Sequence, residues 1–112
     1  MKREERAIRS LLISGLDDWV LLQEVIWYST FEEITEESKR LTLRVLRRLF
    51  EEGLMVPGDL AEGGFVDWTD EPEGWLDRAE RELEALNWSP RTDGFWLRTT
   101  EKGDELAKTY RK

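Results

Sequence analysis

Charged side chains dominate the residues of this sequence that could do chemistry. Its 112 residues include 25 aspartates and glutamates and 17 lysines and arginines, but no histidine and no cysteine. Histidine is the commonest general base and zinc ligand, and a thiolate metal site or a disulfide needs cysteine. The acids follow no calcium-loop spacing, no glycine-rich phosphate loop occurs, and a serine nucleophile would lack a histidine partner. We therefore expect no enzyme activity, no bound metal and no cofactor.

Four arginines share one side of a helix predicted over residues 36–52, opposite a broad apolar face. The members of this arginine stripe are Arg40, Arg44, Arg47 and Arg48. One interpretation is a solvated surface that is paired in part with Glu37, Glu51 and Glu52 at helical spacing. The other two are a contact surface for an acidic protein and a surface that binds DNA.

Acidic residues are concentrated between positions 59 and 84, where ten acids and two arginines give a local net charge of −8. Four of these acids lie on one side of a predicted helix and form what we call the acidic face: Glu73, Asp77, Glu80 and Glu84. The acidic face would suit a basic protein partner, because complementary charge steers association. A solvated helix surface is the alternative interpretation.

The aromatic pair Phe65 and Trp68 lies in a segment between two turn signals. If both side chains are exposed, they could anchor a protein partner. The alternative is that they pack this segment onto the rest of the domain. Four other aromatic residues are predicted to lie in the core: Trp19, Trp27, Trp75 and Phe95.

The spacing of apolar residues and breaks predicts a single, mostly helical α+β domain with a small sheet. Four predicted helices cover residues 3–14, 19–31, 36–52 and 100–110, and another follows a cap at Thr69 or Asp70 and runs to about residue 86. The predicted strands cover residues 54–56 and 95–98, and residues 65–68 are either a strand or an extended segment. A buried strand is the competing prediction for 19–31, which is rich in valine, isoleucine and aromatic residues.

Specific residues are predicted to end these elements. Gly15 is expected to stop the first helix, and residues 57–59 (Pro-Gly-Asp) to close the first strand as a turn. Thr35 is expected to cap the third helix, with Ser38 at the third helical position. Thr69 or Asp70 is expected to cap the fourth, with a proline in its first turn.

Two stretches, LRVLRRLFEEGLM (43–55) and WLRTTEKGDELA (96–107), resemble the winged helix-turn-helix superfamily. The first looks like a recognition helix with its Gly-Leu exit into the wing, and the second like a wing strand that turns into the closing helix. The chain is also similar to small bacterial winged-helix-like proteins that have no assigned role. The resemblance implies one winged-helix-like domain over residues 1–112.

One feature departs from that family. In ordinary DNA-binding winged-helix proteins, a short and often basic loop joins the two wing strands. In this chain about forty residues (57–94) separate the two strand candidates, and they include a predicted helix. This helical insertion also contains the acidic segment. A wing of that charge would oppose the approach of phosphates, which DNA-binding proteins neutralise with lysine and arginine.

We expect a cytoplasmic, non-catalytic domain that binds another macromolecule, with a protein as the favoured partner and the acidic insertion as the contact surface. An antitoxin-like, immunity-like or regulatory role is a concrete version of this hypothesis. The alternative is a DNA-binding regulator with residues 36–52 as the recognition helix, which the formal net charge of −8 disfavours. The longest apolar runs are too short to cross a bilayer, so no membrane association is predicted.

Overall fold

A computed structural model describes residues 2–31 and 33–111, which form five helices and a small antiparallel sheet. In chain order the elements are α1 (Arg3–Asp17), β1 (Val20–Leu21), α2 (Leu22–Thr30), α3 (Glu36–Glu51), β2 (Met55–Ala61), β3 (Gly64–Asp67), α4 (Pro72–Ala85), β4 (Trp96–Thr99) and α5 (Glu101–Tyr110). The prediction of a mostly helical α+β chain with a small sheet is confirmed.

The sheet has the strand order β1-β4-β2-β3, so β2 pairs with two neighbours. Gly58 of β2 lies opposite Trp96 of β4 on one side and opposite Asp67 of β3 on the other. The two strands that were predicted far apart in sequence therefore pair directly. The predicted helix between them is present as α4, and β3 adds an extra strand at the sheet edge.

The turn predicted at residues 57–59 is wrong, because β2 continues through it to Ala61. Proline is normally excluded from a paired strand because it has no N–H to donate. Here the ladder between β2 and β3 begins one residue later, at Gly58, and the Pro57 carbonyl accepts a hydrogen bond from the Trp68 N–H at 3.0 Å. The N–H and C=O of one residue face the same neighbouring strand, so the missing hydrogen of Pro57 removes the reciprocal bond to Trp68 but none of the bonds to β4.

Two predicted helix limits were also wrong. Gly15 does not stop α1, which continues to Asp17; the missing side chain at Gly15 instead leaves room for Thr99 of β4. Residues 19–31 combine both competing predictions, because Val20 and Leu21 form β1 and the helix begins afterwards. The Glu24 carboxylate marks this boundary by accepting hydrogen bonds from the Leu21 N–H at 3.0 Å and the Ser14 hydroxyl at 2.6 Å.

The predicted cap of α3 is confirmed. The Thr35 hydroxyl accepts a hydrogen bond from the Ser38 N–H at 3.0 Å, and the Ser38 hydroxyl accepts one from the Thr35 N–H at 2.8 Å. The cap predicted for α4 at Thr69 or Asp70 is wrong, because Glu71 precedes its first residue and makes no capping bond through its side chain. Pro72 opens this helix, where its lack of an N–H costs little.

One apolar core joins the helices to the inner face of the sheet. Side chains with no measurable exposure include Leu11 of α1, Leu49 of α3 and Leu97 of β4. The prediction of Phe95 in this core is confirmed, and Trp75 is half-buried edge-on to Phe50. None of the helices in the described residues is both long and apolar enough to span a bilayer.

Two of the predicted core tryptophans lie at the surface instead. Trp19 is 39% exposed and Trp27 is 45% exposed. Trp19 lies in the polar break before β1, and Trp27 lies on the outer side of α2. Apolar composition alone therefore overestimated how much of the 19–31 segment the core can cover.

Candidate functional site

The arginine stripe lies along the outer side of α3, and three of its four members form ion pairs within the chain. Arg44 and Arg48 both donate to Glu4 of α1, at 3.0 and 3.1 Å. Arg48 also donates to Glu52 at 2.9 Å. The fourth member, Arg40, is exposed and has no ion pair with another described residue. The stripe is therefore largely neutralised by the protein itself.

The third paired arginine, Arg47, connects α3 to α4. Its Nη1 atom donates to Glu51 at 2.9 Å and to Glu73, the first member of the acidic face, at 3.0 Å. The two surfaces that the sequence suggested as separate sites are therefore neighbours. The acidic helix therefore lies beside the arginine stripe.

These ion pairs stabilise the charged forms of their partners. Hydrogen bonds to Glu51 and Glu73 raise the pKa of Arg47, and hydrogen bonds to Glu52 and Glu4 raise the pKa of Arg48. Partial burial raises the pKa of Glu4, but the hydrogen bonds from Arg48 and Arg44 outweigh it, and the net pKa lies below the ordinary value. Three of the four stripe arginines are thus held in intramolecular ion pairs at neutral pH.

The acidic face is exposed along α4, and most of it is unpaired. Asp77, Glu80 and Glu84 form no ion pair within the parts of the chain that the structure describes, whereas Glu73 is bound by Arg47. The only other charge on the solvent side of this helix among the described residues is Arg81, which is also exposed and unpaired there. The solvent side of α4 therefore carries a net negative charge, with three unpaired carboxylates against one arginine.

The opposite side of α4 attaches the helix to the β2–β3 hairpin. The guanidinium of Arg78 donates to Asp59 of β2 at 3.1 Å and stacks on the ring of Trp68 at 3.9 Å. Glu82, next to Arg78, is less exposed, and its burial raises its pKa above the ordinary glutamate value. This cluster fixes α4 against the sheet and directs the acidic face outwards.

Phe65 and Trp68 do not form an exposed pair. Trp68 is 6% exposed; its ring packs on Phe95 at 4.8 Å, and its indole N–H donates to Asp59 at 2.9 Å. Trp68 therefore packs the insertion onto the rest of the domain, which is the second of the two interpretations given for this aromatic pair. Phe65 is half-buried on the sheet and contacts Trp19, with ring centroids 5.6 Å apart.

The outer face of the sheet carries an apolar group of residues, of which the sequence analysis singled out only Phe65. Pairing registers place Leu21, Val56, Leu60, Phe65 and Trp96 on the face opposite the buried side chain of Leu97. Leu60 is 44% exposed and lies directly opposite Phe65. The alternation of outward-facing apolar residues along β2 could have predicted this outer face. It was missed because the strand was predicted to end at residue 56.

No group of three or more histidine, cysteine, aspartate or glutamate side chains in residues 2–31 and 33–111 is arranged to hold a metal ion. A cavity of about 770 Å³ is an open polar groove between the start of α1 and the start of α3, lined by residues such as Glu5, Glu36 and Arg44. The chain matches no family model, and no curated protein and no solved structure is significantly similar to it.

Proposed function

We propose that this chain is a non-catalytic, winged-helix-like domain that binds a basic protein through the acidic face of α4. An antitoxin-like or immunity-like role, in which the domain neutralises a positively charged protein, is a concrete version of this proposal. The observation that carries it is the contrast in pairing between two neighbouring surfaces. Asp77, Glu80 and Glu84 are exposed without an ion pair to another described residue, whereas three of the four stripe arginines are paired.

Unpaired surface charge is available to a partner at low cost. A carboxylate already held by an arginine must lose that partner before it can bind another, whereas a free one gives up only water. Complementary charge of this kind raises association rates and excludes partners of the same sign. A positively charged protein surface is therefore the partner that the acidic face fits best.

Support for the winged-helix-like interpretation comes from the order and pairing of the elements. Three helices precede β2, which pairs antiparallel with β4, and β4 leads directly into the closing helix α5. In the family that the sequence resembles, these two strands would be the wing. The insertion between them comprises β3 and α4, and it brings the acidic face next to α3.

The position of α4 also argues against DNA as the partner. A duplex along α3 would need the stripe arginines, which would first have to leave Glu4, Glu51 and Glu52. It would also lie beside an acidic segment with a net charge of −8 over residues 59–84. Because phosphate neutralisation dominates DNA affinity, both features weaken binding.

A charge-reversal pull-down with mass spectrometry tests the proposal. Wild-type protein is compared with the variant Asp77→Lys/Glu80→Lys/Glu84→Lys. A matched control reverses three exposed acids elsewhere, Glu37→Lys/Glu101→Lys/Glu105→Lys, and circular dichroism verifies that both variants fold. We expect a basic partner that wild type and the control retain and that the α4 variant loses. An identical set of partners for wild type and the α4 variant would refute the proposal.

A further inference from the structure

A groove of about 390 Å³ lies between α1 and α2, on a surface separate from the acidic face. Arg6 and Arg9 of α1 line one wall, and Trp27, Tyr28 and Phe31 line the other. No acidic side chain lines it among the described residues, although the chain has 25 acids and only 17 basic residues. The described lining of the groove therefore combines basic and aromatic side chains without an acid.

The aromatic wall is exposed in a way that the fold alone does not require. Phe31 is 58% exposed and Trp27 is 45% exposed, with their rings edge-to-face at 6.3 Å. Phe31 ends α2 in the left-handed conformation, with φ of 51°, which is unfavourable for a bulky aromatic residue. Large exposed aromatic side chains beside arginine are typical of the centres of protein interfaces.

The arginine wall has charge available for a ligand. Arg6 has no ion pair with any residue that the structure describes. Arg9 likewise has no ion pair with a described residue, and its guanidinium lies over the ring of Tyr110, 4.8 Å from the ring centroid. Arg3 extends the basic wall by stacking on Phe31 at 4.9 Å. Guanidinium groups bind carboxylates with paired hydrogen bonds, so free arginines beside an aromatic surface suit a ligand that is both acidic and apolar.

We propose that this groove docks a short acidic peptide segment of a partner protein. An aromatic or aliphatic side chain of the peptide packs on Trp27 and Phe31, and carboxylates on either side of it pair with Arg6 and Arg9. The surface is distinct from the acidic face and prefers the opposite charge. The inference therefore goes beyond the proposed function, and either can fail without the other.

A peptide fits the groove better than a single-stranded nucleic acid. Nucleic-acid affinity comes from neutralising several phosphates in a row, and the groove offers only two unpaired arginines with Arg3 at its end. A strand leaving the groove along α1 would also meet Glu5, which lines the adjoining cavity with Arg9. A peptide can place its few carboxylates within the groove and leave the rest of the surface untouched.

NMR titration of the full chain with synthetic peptides tests the proposal. The probe is a capped peptide with a phenylalanine flanked on each side by two glutamates, and the control peptide has glutamines in place of the glutamates. Arg6→Gln/Arg9→Gln removes the charge, Phe31→Ala removes the apolar contact, and Arg81→Gln removes an exposed arginine on α4 as the control. A short oligothymidine tests for nucleic acid.

We expect the acidic peptide to shift amide signals of α1 and α2 and the indole signal of Trp27. Arg6→Gln/Arg9→Gln should weaken its binding about tenfold, because two largely exposed ion pairs are lost. Phe31→Ala should weaken it several-fold and Arg81→Gln should not. Equal binding of the glutamine peptide, tighter binding of the oligothymidine, or self-association of the chain through this groove in sedimentation would overturn the proposal.

Discussion

Arg47 of α3 and Glu73 of α4 form an ion pair with 3.0 Å between Nη1 and Oε1, and this contact joins the two charged surfaces of the protein. Arg47 belongs to the stripe that suggests DNA binding, and Glu73 to the face that suggests a protein partner. Because each neutralises the other, neither residue is freely available to an outside ligand. The ion pair therefore leaves Asp77, Glu80 and Glu84, further along α4, as the contact residues that we propose.

This ion pair should contribute little to stability, because both side chains are largely exposed. We expect a double-mutant cycle of Arg47→Ala and Glu73→Ala to give a coupling free energy below about 1 kcal/mol in urea unfolding. The control is a double-mutant cycle of Glu73→Ala and Lys108→Ala. These two residues make no contact, so their coupling free energy should be close to zero. A coupling free energy above about 2 kcal/mol would contradict this prediction and show that the ion pair contributes strongly to holding α4 against α3.

The neutralised stripe should bind polyanions poorly. We expect wild-type protein to pass through a heparin column at low salt, and Arg44→Glu/Arg47→Glu to behave in the same way. Arg81→Glu/Lys108→Glu reverses two exposed basic residues elsewhere and serves as the control. Retention of wild type that only the Arg44/Arg47 variant loses would support the DNA-binding alternative, because polyanion affinity depends on released counterions.

Trp68 should be a structural residue. Its ring is buried against Phe95 and under Arg78, so Trp68→Ala should lower the free energy of unfolding by about 3–5 kcal/mol. Trp19→Ala, at an exposed tryptophan, should cost about 1 kcal/mol or less. Urea unfolding followed by circular dichroism measures both. Similar losses in the two variants would show that Trp68 is not part of the core.

Gly103 should tolerate no side chain. It lies in the first turn of α5, and a Cβ there would overlap the Leu54 carbonyl oxygen, which also accepts a hydrogen bond from the Thr100 N–H at 3.0 Å. We expect Gly103→Ala to destabilise the domain by about 1–3 kcal/mol in urea unfolding. Gly63→Ala, whose Cβ would meet no atom within 4 Å, should change stability by less than about 0.5 kcal/mol. Equal effects would contradict this packing.

The ion pair of Asp67 and Arg98 should make stability depend on pH. Arg98 donates to both carboxylate oxygens, at 2.8 and 2.6 Å, and these hydrogen bonds hold the pKa of Asp67 below its ordinary value. The unfolded chain therefore binds this proton more readily than the folded one. The stabilisation is present above the ordinary aspartate pKa of about 3.9 and is lost as the pH falls through the lower, folded value.

Asp67→Asn should remove the contribution that this ion pair makes to the loss of stability at acidic pH. We expect its urea midpoint to fall less steeply than that of wild type below about pH 4, with a difference of at most about 1 kcal/mol because the pair is half-exposed. Asp93→Asn, at an exposed loop aspartate without an ion pair to any described residue, is the control. Identical slopes for Asp67→Asn and wild type would contradict the assignment.

Helices were predictable where local signals agreed. The apolar period of residues 36–52, the Thr35 cap and the arginine spacing all follow from the backbone geometry of one helix, so α3 matched its prediction closely. Prediction failed where a distant segment decided the outcome. β2 continues through Pro57, where β4 pairs on one side and β3 pairs from Gly58 onwards on the other. α1 continues through Gly15, against which Thr99 of β4 packs.

The sequence by itself determined the fold class, the helix periods, and the opposite charges of α3 and the insertion, because these depend on residue type and on spacing along one element. Only the tertiary structure decided which charges remain available. Glu4 lies forty residues from Arg44 in sequence, and Glu73 lies 26 from Arg47, yet both approach to 3.0 Å. The same folding exposes Trp27 and buries Trp68, because burial depends on what packs against a side chain.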